Sequence, residues 1–136
     1  MELILLEEVR DHLPIGFDPY QIYSIVVSCQ EVGRLILREG NDTQRYYDGH
    51  IGYTIDEQFR GHSYAYQACL LLKDMIEQDH LLITCDPHNI ASLRTIEKLG
   101  CYFLETVTIP TKHKKLFAKD EKVKNIYLWK LQEEEK

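Results

Sequence analysis

"GHIGYTIDEQFRGHSYAYQACLLLKDM", residues 49–75, holds two periodicities joined by one turn. The first part alternates, with Ile51, Tyr53 and Ile55 on one face, as a half-buried strand does. The last part changes to helical spacing: Ala65, Ala68, Cys69, Leu72 and Ile76 fall on one stripe, widened by Leu71 and Met75, which predicts a helix over residues 63–78. Between them lies "RGHSYA", residues 60–65. A helix start exposes unpaired N–H groups and roughly +0.5 charge, so a phosphate placed there gains several hydrogen bonds at once. Gly61 lets a ligand approach the backbone, and Arg60 and His62 add charge to the amides of Ser63, Tyr64 and Ala65. The same residues also suit an ordinary strand-to-helix turn with a serine cap. Neither the G-K-[ST] ending of a Walker loop nor the G-x-G-x-x-G of a dinucleotide fold is present.

Upstream, "QIYSIVVSC" (residues 21–29) is rich in β-branched and aromatic residues, and "GRLILRE" (residues 33–39) follows a short polar turn, which predicts a hairpin. The strand at residues 49–55 extends it to a meander. Residues 1–8 read as a short strand or a helical turn, and the two prolines and glycine of "HLPIGFDPY" mark a loop. Downstream, "LLITC" (residues 81–85) is a core-type strand. "DPHNIASLRTIEKLG" then carries helix signals at both ends: Asp86 or Asn89 as cap, Pro87 in the first turn, Gly100 just past the end. Strands at residues 101–109 and 125–131 close the chain around a charged loop. The order is meander, helix, strand, helix, strand, strand. Two helices against a mixed sheet make an α/β sandwich, expected as one domain over residues 1–136.

Composition narrows the class. A chain of 136 residues with 44% hydrophobic content fills one core and not two. The formal net charge of −6 argues against general binding to nucleic acid or an anionic membrane, since both reward concentrated Lys and Arg. "KHKK" (residues 112–115) reads as a solvated loop. Cys29, Cys69, Cys85 and Cys101 form no C-x-x-C pair, and no secretory leader or ~18-residue apolar run is seen, so reduced, buried thiols in a cytoplasmic protein are expected. Cys85 and His88 lack two further ligands at suitable spacing, so no metal is expected.

The phosphate-loop candidate, followed about thirty residues on by "NIASLRTIEKLGCYF", resembles the GNAT superfamily of acyl-CoA-dependent N-acyltransferases. Their loop has the form [RQ]-x-x-G-x-[GA], and their next helix commonly begins at an Asn and ends in E-K-L-G-F. Arg60 and Ala65 match the outer loop positions, with Ser63 where the family usually has Gly; Asn89, Ala91, Ser92, Glu97, Lys98, Leu99 and Gly100 match the second block. The resemblance covers residues 21–103. It implies a GNAT-like mixed, mostly antiparallel central sheet flanked by helices, with a shortened N-terminal region, since relatives usually carry a strand and two helices before the hairpin. It also implies that acetyl-CoA, the acyl donor, lies between the strands at residues 49–55 and 81–85. The pyrophosphate would sit on the amides of His62, Ser63, Tyr64 and Ala65 beside Arg60 and Gly61, with the Ser63 hydroxyl as a possible donor. Pantetheine would pair with backbone at Tyr53 and Ile55 and bond Asn89.

The chemistry implied is direct transfer of an acetyl group to a primary amine of a small molecule or peptide. A lysine-type amine near pKa ~10.4 costs roughly 4 kcal/mol to deprotonate at pH 7, and an α-amine near ~8 about 1. His50 is the leading base candidate, as the imidazole on the central strand, ahead of Glu105 and Glu57. Relatives often carry a Glu at the position of Thr84 and a Tyr at that of Ile96, so Ser92, one turn after Asn89, or a water is expected to serve the leaving thiolate. Tyr46, Tyr47 and Tyr53 are candidates for the acceptor pocket. The short front implies an open acceptor cleft or one completed by a second subunit, as in a homodimer. The alternative is a non-catalytic acyl-CoA-binding regulatory module.

Overall fold

The alternating segment at residues 51–55 becomes the middle strand of a seven-stranded sheet. The computed structural model describes residues 1–10, 19–39, 49–108 and 123–131. Strands β1 (Glu2–Val9), β2 (Tyr20–Val27), β3 (Gln30–Arg38) and β4 (Ile51–Ile55) form an antiparallel meander. Helix α1 (Tyr64–Met75) then crosses to β5 (His80–Cys85), which runs parallel to β4. Helix α2 (Ile90–Lys98) leads to the edge strand β6 (Tyr102–Thr108), and β7 (Val123–Lys130) lies between β5 and β6, antiparallel to both. The spatial order is β1-β2-β3-β4-β5-β7-β6. This is the mixed, mostly antiparallel sheet flanked by helices that the resemblance implies.

Three details differ from expectation. The strand reading of residues 1–8 holds, as Glu2–Val9, but this strand joins the meander as its edge, so the meander has four strands where three were expected. α1 stops at Met75, whose side chain is 51% exposed and does not widen the buried stripe. Pro87 precedes the Asn89 cap of α2 and is not in its first turn.

Both helices cover one face. Ala68, Cys69 and Leu72 of α1 and Ile96 of α2 join Ile25, Leu35, Leu37, Ile51, Leu81, Ile83, Cys85 and Trp129 in one buried cluster. Register explains the set: Leu35 opposes Tyr53 and Leu37 opposes Ile51, so alternate residues of neighbouring strands share a face. Each fully buried Leu or Ile contributes about 1.5–3 kcal/mol by leaving water. By the same alternation Ile36, Gly52, Thr84 and Ile126 face the other way.

The sheet is weakest at one seam. β3 and β4 pair over five residues and β5 and β7 over six, whereas β4 meets β5 only at Ile51 and Ile83. Beyond that pair the two strands part. Gly49 sets the start of β4: its φ is +71° and an added Cβ would lie 2.8 Å from the Leu82 carbonyl oxygen, so only glycine fits. Asp56 N–H donates to the Val32 carbonyl and Arg38 N–H to that of His50, which turns the main chain of even-numbered residues toward β3. Tyr53 and Ile55 therefore present main-chain groups to the gap.

Candidate active site

The gap is a cleft of about 210 Å³ floored by Ile51 and Ile83. Tyr53, Cys85, Asn89 and Ser92 line it on the helix face, and Gly52, Thr84, Arg38 and Lys124 on the other, with Asp86 at its end. The opening thus runs through the sheet. α2 builds one wall from its cap: the Asn89 carboxamide oxygen accepts the Ser92 N–H at 3.1 Å, which commits that oxygen and leaves the NH2 as the donating end. Ser92 Oγ in turn lies 2.9 Å from Tyr53 Oη. Burial pushes the Tyr53 phenol up to about 12 despite that bond, and the Cys85 thiol up to about 11. Both keep their protons at neutral pH.

Past the C-terminal end of β4, a 3-10 turn (Glu57–Phe59) brings the chain to the "RGHS" loop. The first intrahelical bond of α1 runs from Gln67 N–H to the Ser63 carbonyl, so the amides of Tyr64, Ala65 and Tyr66 precede the ladder. Gly61 has φ +91° and open space where a Cβ would stand, as a close backbone approach requires. Ser63 caps the helix with φ 59°, in the left-handed region, and its side chain makes no capping bond. That backbone accounts for the glycine usual at this position. Instead Ser63 Oγ accepts a hydrogen bond from Lys98 Nζ at 2.8 Å, and the same ammonium lies 5.2 Å from the Tyr66 ring centre. A cation from α2 is thereby held at the N-terminus of α1, which sequence spacing did not reveal.

Other expected contributors are placed differently. Arg60 Nε donates to the Ile55 carbonyl at 3.0 Å, so its guanidinium is turned back on β4, bracing the loop. The His62 ring stacks on Tyr64 at 5.2 Å, and its carbonyl accepts from Gln67 Nε2. His50 Nδ1 accepts the Leu82 N–H at 2.9 Å, while the His50 amide donates to the Leu82 carbonyl at 2.8 Å. The Nδ1 lone pair is thereby committed to β5, and His50 straps β4 to β5. Glu57 and Glu105 are exposed and do not line the cleft. Ile96 is buried in the core and offers no proton. Tyr46, Tyr47 and residues 112–115 lie outside the described residues.

The thiols also divide. Cys69 and Cys85 are buried and Cys101 half-buried, but Cys29 is exposed at the β2–β3 turn, so it is not the small buried hydrophobe expected. Among the described residues no group of three or more His, Cys, Asp or Glu side chains could hold a metal, and no helix is long and apolar enough to cross a membrane.

A mixed sheet splayed between its parallel strands, with hydroxyls lining the gap and a loop and helix start following β4, is the architecture of an acyl-CoA transferase fold. The chain matches the acetyltransferase (GNAT) domain family over residues 10–102, and it belongs to that family of acetyl-CoA-dependent acyltransferases. Among solved structures it is similar to apo RimL, a ribosomal L7/L12 α-N-protein acetyltransferase, with TM-score 0.65 and 18% identity over 85% of this chain and 72% of that one. An acetyltransferase from Salmonella typhimurium that modifies the N-terminal serine of L7/L12 gives 0.64 and 19% over 83% and 64%. The microcin C7 self-immunity acetyltransferase MccE, solved with acetyl-CoA and AMP, gives 0.61 and 17% over 80% and 59%. The chain thus spans 59–72% of the length of these three structures, and at such identity the likeness is one of fold. No curated protein matches it.

Proposed function

We propose that the chain transfers an acetyl group from acetyl-CoA directly to a primary amine of a small molecule or peptide. The observation that carries this reading is the single-pair seam between β4 and β5, which opens a cleft with Tyr53 and Ser92 on its wall. The free main-chain edge of Tyr53 suits pantetheine, the Asn89 NH2 suits one of its amides, and the α1 amides with Lys98 suit the pyrophosphate.

In the transfer, the amine lone pair attacks the thioester carbonyl, the C–S bond breaks, and the thiolate departs. Magnitudes decide how the wall helps. A phenol held at about 12 does not surrender its proton to a thiolate of pKa near ~8.5. One hydroxyl proton is spent between Tyr53 and Ser92, so the pair donates its remaining O–H to the departing sulfur, and the proton that the thiolate takes up comes from the acceptor nitrogen, acidified as its new C–N bond forms. Committing the His50 lone pair to Leu82 argues for an amine that arrives neutral without a strong protein base. That favours α-amine-like acceptors over lysine side chains.

Calorimetric titration with acetyl-CoA tests the reading, on wild type and on Gly61→Pro/Ser63→Asp, which obstructs and repels the pyrophosphate. Micromolar binding, lost in the variant, together with amine-dependent CoA release, is expected. No binding by wild type overturns the proposal, and binding without turnover across a broad amine panel leaves only a binding module.

A further inference from the structure

We propose that Arg60 is a specificity-determining residue for the acyl donor: its guanidinium occupies the Ile55 carbonyl in the coenzyme-free protein and gives that carbonyl up when the diphosphate of a donor draws it away. Pantetheine thioesters that carry no phosphate are thereby disfavoured. This rests on the acetyl transfer proposed above and deepens its donor half.

The main-chain edge of β4 runs unbroken from the cleft toward Arg60. Even-numbered residues turn their N–H and carbonyl groups to β3, as the Asp56-to-Val32 and Arg38-to-His50 bonds require, so Tyr53 and Ile55 turn theirs to the gap. Tyr53 lines the cleft, and Ile55 carries the same edge roughly 7 Å farther, at ~3.4 Å per residue. An extended ligand that pairs with Tyr53 in the manner of an added strand meets the Ile55 carbonyl next.

That carbonyl is already taken. Arg60 Nε donates to it at 3.0 Å. The 3-10 turn folds the chain back to allow this: Phe59 N–H bonds the Asp56 carbonyl at 2.9 Å and Arg60 N–H that of Glu57 at 3.3 Å, which returns Arg60 to the end of β4. Because the Ile55 oxygen faces the gap, the guanidinium lies on the gap side of the strand, in the path of an incoming amide. A carbonyl oxygen has a second lone pair, yet a planar group as wide as a guanidinium covers the approach to it.

The bond is one that a phosphate outcompetes. Arg60 is exposed, and among the described residues its guanidinium makes this one hydrogen bond and no ion pair, although Asp56 and Glu57 stand close in sequence. A neutral carbonyl engages one N–H of the fork; a phosphate takes two in parallel, in shorter bonds roughly twice as strong. Arg60 opens the loop that ends at the α1 cap Ser63, and Gly61 between them, with open space where a Cβ would stand, leaves the backbone clear for a ligand. Moving Arg60 to phosphate frees Ile55 for a pantetheine amide, so each half of the coenzyme favours the binding of the other. A phosphate-free thioester has to displace the guanidinium and offers it no new partner.

Arg60→Met separates the two halves by sign. Calorimetric titration is expected to show acetyl-CoA weakened fivefold or more in the variant and S-acetylpantetheine tightened threefold or more. A bracing role alone would weaken both ligands together. Inorganic pyrophosphate at saturation should likewise tighten S-acetylpantetheine threefold or more on the wild type and leave its affinity for the variant unchanged, and the wild-type half of that experiment needs no variant that folds. Weakening of both donors, no tightening of S-acetylpantetheine in the variant, or no effect of pyrophosphate on the wild type overturns the proposal. If the wild type binds no acetyl-CoA, the transfer reading falls as well; if it binds and the signs do not split, this inference alone falls.

Discussion

Ser92 joins three parts of the cleft: its amide completes the α2 cap, its hydroxyl meets Tyr53, and it lies against Cys85. If the pair donates to a departing thiolate, Ser92→Ala and Tyr53→Phe should each lower kcat by roughly tenfold to a hundredfold, the value of a hydrogen bond to a charged group, with KM for acetyl-CoA nearly unchanged. The double variant should cost less than the product of the two, because either change breaks the same bond. Steady-state kinetics on all three proteins reads this out. Lys98 makes a separate prediction. Lys98→Met removes the ammonium at Ser63 and should weaken acetyl-CoA by roughly threefold to tenfold, more at low salt than at high, while leaving a phosphate-free pantetheine fragment unaffected. Single residues were unevenly legible in the sequence. Asn89 and Ser92 stand out through a motif, but Arg38 and Lys124 enter the cleft only through strand order, and the bond from the Leu82 amide to the His50 ring depends on how distant segments pair.

Elements were read well where a period was long and pure. β4, α1 and α2 were located within a few residues by their repeats, and β5 by a short continuous apolar run, buried at Leu81, Leu82 and Ile83 in succession. β1 was ambiguous because "ELILLEEV" is apolar over four successive residues and most of it is exposed, so neither period marks it. That β7 inserts between β5 and β6 had no local signal at all, being a matter of pairing between distant segments. Turn glycines give the sharpest prediction at this scale. Gly49→Ala forces a side chain into a positive-φ site and against the Leu82 carbonyl, and should cost at least about 2 kcal/mol in denaturant unfolding, the range for combined strain and overlap. Gly61→Ala, with open space around its Cβ position, should cost about 1 kcal/mol from backbone strain alone.

Over the whole molecule, buried acids that keep their protons set the response to alkali. Cys69 and Cys101 are pushed up to about 12, Cys85 to about 11 and Tyr53 to about 12, in each case chiefly by burial. A raised folded-state value means that the stabilisation is complete below the unfolded value and is lost as pH rises toward the folded one. Thermal stability should therefore hold through neutrality and fall between about pH 9 and pH 11, each thiol contributing up to about 1.4 kcal/mol per pH unit while the unfolded chain alone ionises. Cys69→Ala, Cys85→Ala and Cys101→Ala should each flatten that slope even where they lower the starting stability. The one-pair seam has a different kind of consequence. Strands β1 to β4 come from residues 2–55 and strands β5 to β7 from residues 80–130, so the sheet is divided in sequence where it is divided in space. A polypeptide cut within residues 76–79, after α1, would yield two pieces that each keep their strand ladders intact and meet along a nearly unladdered border. Fused to halves of a luminescent reporter, such fragments should reassemble on adding acetyl-CoA, turning the coenzyme into the bridge that the missing hydrogen bonds do not provide.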